Sequence, residues 1–219
     1  MSPDQFVDAL FAERSMPIVR ASTEETAASA MDAAVDAGFK IVEFTMTTPN
    51  ATGLITRFSK RANLVVGAGT VMTIDDARAA VDAGARFLVS PVVDIDVINE
   101  AARLGVAIIP GTHTPTEMWN AHRAGAQCVK LFPVAAGGPD TVRSILGPMP
   151  FLRIHPTNGV DASNAAAYIE AGAFSIGFVR ALFDKQDVAE KRWQRITERG
   201  VRLRETVLAA KRPPTRSAN

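Results

Sequence analysis

The chain has 219 residues, a formal net charge of +1, 47% hydrophobic residues and 21% charged residues. This length and composition are typical of a globular domain with a sizeable core, and the small net charge argues against a nucleic-acid partner held mainly by phosphate attraction. The single cysteine, Cys128, excludes an intramolecular disulfide. The N-terminal stretch carries Asp4 and Asp8 and no long apolar run, so we expect neither a signal peptide nor a membrane span, and a cytoplasmic location.

A short helix is predicted first, around residues 3–14, and a repeated pattern follows it. Helical stretches end in a small residue and a glycine, as in Ala37-Gly38 and Ala171-Gly172, and a short apolar strand comes next. Strands are predicted at residues 16–21, 40–46, 64–69, 86–90, 106–110, 127–132, 151–155 and 174–178. Helices are predicted at residues 24–37, 50–61, 75–83, 94–104, 115–124, 138–146, 161–171 and 185–210.

This strict alternation predicts an α/β fold with parallel strands joined by right-handed crossovers. Eight such units close into a (β/α)8 barrel, the TIM-barrel fold, more naturally than they form an open sheet. The first unit lacks a G-x-G-x-x-G sequence, which weakens the open dinucleotide-binding alternative. We therefore predict a single barrel domain over residues 1–212 and a flexible tail over residues 213–219.

One lysine stands in the middle of an apolar strand, Cys128-Val129-Lys130-Leu131-Phe132-Pro133. Side chains alternate across a strand, so Lys130 shares a face with Cys128 and Phe132. Burial of this amine would lower its pKa, which is what an amine nucleophile needs. Taken alone, a lysine in such a segment is more often a surface residue of an edge strand.

In a barrel of this kind the chemistry lies at the carboxyl ends of the strands. The predicted strand ends bring together one carboxylate, Glu43, one lysine, two arginines (Arg20 and Arg180) and several hydroxyl groups. They contain no cluster of His, Asp and Glu sufficient for a catalytic metal, so neither a metal nor another cofactor is predicted.

Six short motifs occur in order between about residues 17 and 183. They are Val42-Glu43-Phe44-Thr45-Met46, Val66-Gly67-Ala68-Gly69-Thr70-Val71, Ser90-Pro91, Ile109-Pro110-Gly111 with Thr116-Glu117, Val129-Lys130-Leu131-Phe132-Pro133, and Pro156-Thr157-x-Gly159-Val160, where x is any residue. Each is weak alone, but the ordered set is specific. With this set the chain resembles the class I aldolases that act on 2-keto-3-deoxy-6-phosphogluconate (KDPG), its galactonate epimer, or 4-hydroxy-2-oxoglutarate (KHG).

The resemblance implies that Lys130 forms a Schiff base with a small 2-keto acid and that Glu43 moves protons. The implied substrate-binding residues are Arg20, Thr70, Pro91, Phe132, Thr157, Asn158, Gly159, Gly177 and Arg180. Many members carry an arginine four residues after the glutamate, where this chain has Thr47. Arg20 instead fits the galactonate-type branch, which places an arginine on the first strand. A homotrimer is also implied.

Two turns depart from the family pattern. The turn after the seventh strand usually has two glycines, and here it is Thr157-Asn158-Gly159. The segment after the eighth strand usually reads Gly-x-Ser, and here Val179-Arg180 stands there. The distal group of the substrate therefore stays open between a phosphate, a carboxylate and a neutral sugar end.

Two other functions compete with the aldolase hypothesis. A phosphate-binding barrel isomerase or epimerase shares the architecture and needs no imine. A barrel that binds a 2-keto acid without turnover would also retain most of the motifs. On the residues alone, Glu43 is equally an ion-pair partner of Lys130, and His155 is interpreted as a packed strand residue rather than a catalyst.

Overall fold

The structure is a computed structural model and describes residues 1–134 and 136–214. The strands are β1 (Ser15–Val19), β2 (Ile41–Thr45), β3 (Val65–Gly69), β4 (Phe87–Val89), β5 (Ala107–Ile109), β6 (Gly111–Thr112), β7 (Val129–Leu131), β8 (Ile154–Pro156) and β9 (Ile176–Phe178). The helices are α1 (Pro3–Glu13), α2 (Glu24–Asp36), α3 (Ala51–Ser59), α4 (Ile74–Asp82), α5 (Ile95–Arg103), α6 (Pro115–Arg123), α7 (Pro139–Leu146), α8 (Ala165–Glu170), α9 (Lys185–Ala189) and α10 (Trp193–Ala209).

The strands form two parallel sheets. The larger sheet has six strands in the order β5-β4-β3-β2-β1-β9, and the smaller has the order β6-β7-β8. Each strand except β5 is followed by a helix, and β5 continues directly into β6. The helices are crossovers that carry the chain back, so that consecutive strands run parallel. The predicted α/β class with parallel strands is confirmed, and the six-stranded sheet is curled.

The predicted fifth strand, residues 106–110, is wrong in its extent because the chain forms two short strands, β5 and β6, on either side of Pro110. Proline has no backbone N–H and cannot donate to a sheet ladder. Its carbonyl still accepts a hydrogen bond of 2.8 Å from the backbone N–H of Lys130. This bond ties the start of the smaller sheet to the end of β5.

The structure corrects three other boundaries. The single helix predicted at 185–210 is two helices, α9 and α10, because Lys191 between them has the left-handed φ of 54°. The helix predicted from residue 161 begins only at Ala165, since Asp161 accepts hydrogen bonds from Ser163 in a local turn. The strand predicted at 151–155 begins at Ile154. Residues 215–219 of the predicted tail lie outside the described residues.

Helix α1 closes the amino-terminal end of the sheet. Ser2 and Gln5 form a reciprocal capping box that starts the helix. Its buried Phe6 stacks on Phe87 of β4 with ring centres 4.5 Å apart. An apolar cluster forms around this pair on the inner face of the strands and contains Leu10, Met16, Ile41, Val89, Ala107, Ile109 and Cys128. The inner face is therefore apolar at this end.

Polar side chains follow this apolar layer toward the carboxyl ends of the strands. On β2, Ile41 belongs to the inner cluster, and Glu43 lies two residues further along on the same face. On the β7 segment, Cys128 belongs to the cluster and Lys130 comes two residues later. Outward residues such as Val42 pack against the helices instead. The period of two thus places the amine and the carboxyl group in one layer.

The structure offers no helix in residues 1–134 and 136–214 that has both the length and the apolar character needed to cross a membrane.

Candidate active site

Lys130 is held at the centre of β7, between Val129 and Leu131 of the outer core. Only 7% of the residue is exposed, and Nζ lies 4.7 Å from the centre of the Phe132 ring. Burial is the main cause that lowers the pKa of the amine, and the charge of Arg20 lowers it further, while Glu43 opposes both. The site therefore favours the neutral, nucleophilic form of this lysine.

Glu43 is 1% exposed on β2, and its Oε2 atom has no hydrogen-bond partner. Burial raises the pKa of this carboxyl group, against the charges of Lys130 and Arg20, which lower it. Gly69 on β3 leaves the space that the Glu43 side chain occupies, because a Cβ atom at Gly69 would collide with Glu43 Oε1. A buried carboxyl group with a raised pKa and a free oxygen is suited to taking up and returning a proton.

Arg20 lies exposed just beyond β1 and is fixed by two threonines. Its Nη1 donates to Thr47 Oγ1 at 3.0 Å and its Nη2 donates to Thr70 Oγ1 at 3.0 Å. The Thr47 hydroxyl is in turn 3.2 Å from Thr45 Oγ1. An arginine braced in this way can bind a carboxylate with little loss of side-chain freedom. Thr47, four residues after Glu43, thus holds Arg20 in place beside Thr70.

His155 lies on β8 in register with Lys130 of β7. It is fully buried, its Nδ1 is 2.7 Å from Ser175 Oγ, and its Nε2 has no hydrogen-bond partner. Burial first, and then the charge of Lys130, lowers the pKa of His155 to about 3, so the imidazole is neutral. Thr157 follows on the same face, and its buried Oγ1 also lacks a partner. It forms an isolated parallel bridge with Gly177.

The turn after β8 adopts a left-handed backbone at two successive residues. Asn158 has φ of 65° and Gly159 has φ of 113°. Asparagine tolerates this region better than most residues, which explains how the turn forms without a glycine at position 158. The Asn158 carbonyl accepts a hydrogen bond of 3.2 Å from the backbone N–H of Val134. Arg180 is exposed two residues beyond β9.

Pro91 and Phe132 line one cleft of about 750 Å³. Gly111 contributes to the same wall, where a Cβ atom would collide with the Pro91 carbonyl. His113 also lines this cleft, and its Nδ1 is 3.1 Å from the Pro133 carbonyl. Phe132 therefore faces both this cleft and the amine of Lys130.

The structure brings one group of the predicted site residues into hydrogen-bond contact or electrostatic coupling. Lys130, Glu43 and Arg20 influence one another's charge, and Thr70 is bonded to Arg20. Sequence reasoning missed Ser175 as the partner of His155, although its position two residues before Gly177 puts it on the same strand face. It also missed Gly69 as the residue that makes space for Glu43. In the described part of the chain no group of three or more His, Cys, Asp or Glu residues is suited to holding a metal ion.

A family model described as KDPG and KHG aldolase matches residues 7–199. The chain belongs to this family. It is an aldolase, a lyase that breaks a carbon–carbon bond. The match spans all nine described strands and includes Glu43 and Lys130, whose pKa values burial shifts toward their neutral forms.

Named relatives of this aldolase support the assignment. It is 30% identical over 171 residues to the 2-dehydro-3-deoxy-6-phosphogalactonate aldolase of Escherichia coli, a match that covers 76% of this chain and 82% of the relative. It is 34% identical over 166 residues to the 2-dehydro-3-deoxy-phosphogluconate aldolase of Pseudomonas aeruginosa, covering 74% of this chain and 76% of that protein.

A solved structure adds chemical detail about a third relative. The KDPG aldolase of Legionella pneumophila superposes with a TM-score of 0.80 at 26% identity and covers 90% of this chain and 97% of that one. That structure holds pyruvate captured at low pH as a covalent carbinolamine intermediate. The aldolase described here shares its fold over nearly the whole of both chains.

Proposed function

We propose that this aldolase reversibly cleaves a 2-keto-3-deoxy sugar acid, phosphorylated or not, or KHG, to pyruvate and an aldehyde through a Schiff base on Lys130. The observation that carries this proposal is the buried amine whose pKa is lowered by burial, in the same inner layer as a buried carboxyl group whose pKa is raised. The covalent intermediate of the Legionella relative supports the same chemistry.

In the proposed mechanism, neutral Lys130 Nζ attacks carbon 2 of the keto acid to form a carbinolamine. Loss of water gives a protonated imine, which is an electron sink. The bond between carbons 3 and 4 then breaks as the 4-hydroxyl loses its proton, and its electron pair forms the enamine while the aldehyde leaves. Protonation of carbon 3 and addition of water release pyruvate and restore the amine. Glu43, directly or through a water, takes and returns these protons.

Arg20 is proposed to bind the carboxylate on carbon 1 together with Thr70. Two donor groups of the guanidinium already point to Thr47 and Thr70, and the remaining donors of this planar group are available to an anion at the exposed end. The positive charge also lowers the pKa of Lys130, so binding and activation are coupled through one residue.

The far end of the substrate is proposed to meet the rim formed by Thr157, Asn158, Gly159, Gly177 and Arg180. Arg180 favours an anionic end, either a phosphate or a carboxylate, since its charge is permanent and its side chain is exposed. Phe132 is proposed to cover one side of the Lys130 amine, and Pro91 lies on the cleft side of Phe132.

The anion-binding role of Arg180 is tested by comparing cleavage of phosphorylated and unphosphorylated 2-keto-3-deoxy acids by the wild type and Arg180→Ala. The role is wrong if the Michaelis constant of every substrate is unchanged.

We infer that the two sheets close into a single eight-unit barrel over residues 1–212. The hydrogen bond from Lys130 N–H to the Pro110 carbonyl supports closure on one side. A bond of 2.8 Å from Phe174 N–H to the Ile154 carbonyl and the bridge between Thr157 and Gly177 support it on the other. We also propose a homotrimer, as the family resemblance implies, and a cytoplasmic location. Light scattering should then give three times the mass of one chain.

Borohydride reduction in the presence of pyruvate is the experiment that tests the imine. We expect a stable adduct that peptide mapping locates at Lys130, and no adduct in Lys130→Arg, because a guanidinium stays protonated and cannot act as the nucleophile. An isomerase or epimerase would yield no adduct. A binding protein without turnover would be stabilised by the keto acid but would release no aldehyde from any of these substrates.

A further inference from the structure

Three threonine hydroxyl groups form a continuous chain of hydrogen bonds at the end of β2. Thr48 Oγ1 lies 3.1 Å from Thr45 Oγ1, which lies 3.2 Å from Thr47 Oγ1. Thr45 and Thr48 are each 2% exposed, whereas Thr47 is exposed at the surface. One N–H group joins each end of this threonine chain. The backbone N–H of Ala21 donates to Thr48 Oγ1 at 3.4 Å, and Arg20 Nη1 donates to Thr47 Oγ1 at 3.0 Å.

The direction of these hydrogen bonds is fixed at the buried end of the threonine chain. A hydroxyl group has one hydrogen to donate and two lone pairs that accept. Ala21 N–H can only donate, so within residues 1–134 and 136–214 the one acceptor for the Thr48 hydrogen is Thr45 Oγ1. The opposite direction would bury the Thr48 hydrogen without an acceptor, which is costly. Thr48 therefore donates to Thr45, and Thr45 in turn donates to Thr47.

The exposed end of the threonine chain is left with one hydrogen to donate. Both lone pairs of Thr47 Oγ1 accept, one from Thr45 and one from Arg20. Its own hydrogen has no acceptor in the described part of the protein, and the side chain is exposed, so this hydrogen is directed outward beside the guanidinium. Accepting a bond from a cation also polarises the hydroxyl group into a stronger donor. An anion that pairs with Arg20 is the acceptor that suits this group.

This donor belongs to the same site as the reacting amine. The charge of Arg20 lowers the pKa of both Lys130 and Glu43, so the guanidinium lies within electrostatic range of the two. Thr45 comes two residues after Glu43 and lies on the same inner face of β2. A carboxylate next to a keto group that has bonded to Lys130 is therefore the anion placed to reach Arg20 and Thr47 together.

We propose that Thr47 donates its own hydroxyl hydrogen to the carboxylate that Arg20 binds. Thr47 is then a substrate-binding residue, and Thr45 and Thr48 are positioning residues that orient its hydrogen. The inference rests on the proposed function, which bonds carbon 2 of the keto acid to Lys130 and places the carboxylate of carbon 1 at Arg20. It makes the site selective for a 2-keto acid over the corresponding amide, which has one acceptor oxygen in place of two and carries no charge.

Borohydride trapping of pyruvate and of pyruvamide tests the role of Thr47. Intact mass gives the concentration of each ketone that produces half-maximal trapping, and the ratio of the two is the preference for pyruvate. A change in the pKa of Lys130 affects both ketones alike and cancels in this ratio. We expect Thr47→Val, which keeps the shape and loses the hydroxyl group, to lower the preference about tenfold, and Thr47→Ser to retain it.

A matched control is available on α3. Thr56 is also exposed, and its hydroxyl group donates to the Ala83 carbonyl at 3.1 Å. Thr56→Val therefore removes the same hydroxyl group away from the site and should keep the wild-type preference. An unchanged preference in Thr47→Val would overturn the proposal.

A double-mutant cycle separates donation to the substrate from bracing of Arg20. Loss of the brace alone would also lower the preference, so the second measurement removes the arginine. We expect Thr47→Val to lower the preference about threefold further in an Arg20→Met background. If it has no further effect there, Thr47 acts only through Arg20 and the proposal is overturned.

Thr45→Val tests the direction of the threonine chain. It removes the bond that turns the Thr47 hydrogen outward, so we expect the preference to fall about threefold, and Thr45→Ser should retain it. An unchanged preference in Thr45→Val would refute the positioning role. Thr47 is exposed, so its variants carry the test if Thr45→Val does not fold.

Wild-type trapping distinguishes this inference from the proposed function. If pyruvate gives no adduct with the wild type, the imine is refuted and this inference with it. An adduct at Lys130 together with an unchanged preference in Thr47→Val overturns the donor role alone.

Discussion

Nη2 of Arg20 donates a hydrogen bond of 3.0 Å to Oγ1 of Thr70, a residue that has the left-handed φ of 58°. A β-branched residue in this region is strained, at a cost of about 1–3 kcal/mol. The bond crosses the end of β2, where Thr47 accepts a second bond from the same guanidinium. The sheet therefore holds Thr70 in a costly conformation that presents its hydroxyl to the arginine proposed to bind the substrate carboxylate.

Replacing Thr70 with glycine should separate stability from binding. The change relieves the strained backbone, so we expect a small gain in the free energy of unfolding, up to about 1 kcal/mol. It also removes the acceptor that positions Arg20, so we expect the pyruvate concentration needed for half-maximal borohydride trapping to rise about tenfold. Asn63→Gly is the control, because Asn63 has φ of 62° in an exposed turn away from the site. Equal behaviour of the two variants in trapping would contradict this account.

The pH dependence of trapping should report the charges around Lys130. Arg20 lowers the pKa of the amine, so Arg20→Met should shift the rise in trapping toward higher pH. Glu43 raises that pKa, so Glu43→Gln should shift the rise toward lower pH. Intact mass after a short borohydride pulse at each pH measures both, and Arg202→Met on exposed α10 should shift neither. Shifts of the opposite sign would show that direct hydrogen bonds, rather than charge, control the amine.

Gly69→Ala should displace the carboxyl group of Glu43, the proposed proton carrier, while leaving the Glu43 residue itself unchanged. The added methyl group would collide with Glu43 Oε1, so the carboxyl group must move. We expect kcat to fall at least about tenfold, because a general acid–base residue contributes roughly a hundredfold or more when correctly placed. Gly147→Ala at the end of α7 is the control, since its Cβ atom would meet only the Ser144 carbonyl at 3.3 Å and the Arg143 carbonyl at 3.9 Å. Wild-type kcat in Gly69→Ala would argue that the position of Glu43 is unimportant.

Glu100 should contribute stability that acid removes. This carboxylate of α5 accepts from Arg78 of α4 at 2.8 Å and from Arg103 at 2.6 and 2.8 Å, and these bonds lower its pKa from 4.5 to about 2. The folded protein therefore binds fewer protons than the unfolded chain between these values, so the contribution is complete above about pH 4.5 and is lost as the pH falls toward 2.

The measurement is the Tm of the wild type and Glu100→Gln across this range. We expect the variant to melt at a lower temperature near neutral pH and the difference to close between about pH 4.5 and 2. Glu205→Gln, which alters an exposed glutamate of α10, should melt like the wild type throughout. A difference that persists at the lowest pH would show that shape, rather than charge, is what Glu100 contributes.

Much of the site could be predicted because local patterns carry it. The period of two along β2 and β7 puts Glu43 and Lys130 on the inner face wherever the strands lie, and small residues before each strand mark the alternation with helices. Strand ends were less predictable. Pro110 divides one predicted strand into β5 and β6, and Lys191 divides the last predicted helix, because each depends on backbone hydrogen bonds or dihedral angles that neighbouring segments impose.

The sequence by itself determined the alternating strands and helices, the strand face on which the central lysine lies, and the family. Only the tertiary structure decided that Arg20 reaches Thr47 and Thr70, and that Gly69 and Gly177 leave space for Glu43 and for His155. The reason is physical: a residue's neighbours along the chain set its strand face. Its pKa, its hydrogen-bond partners and the space around it come from residues tens of positions away that folding brings into contact.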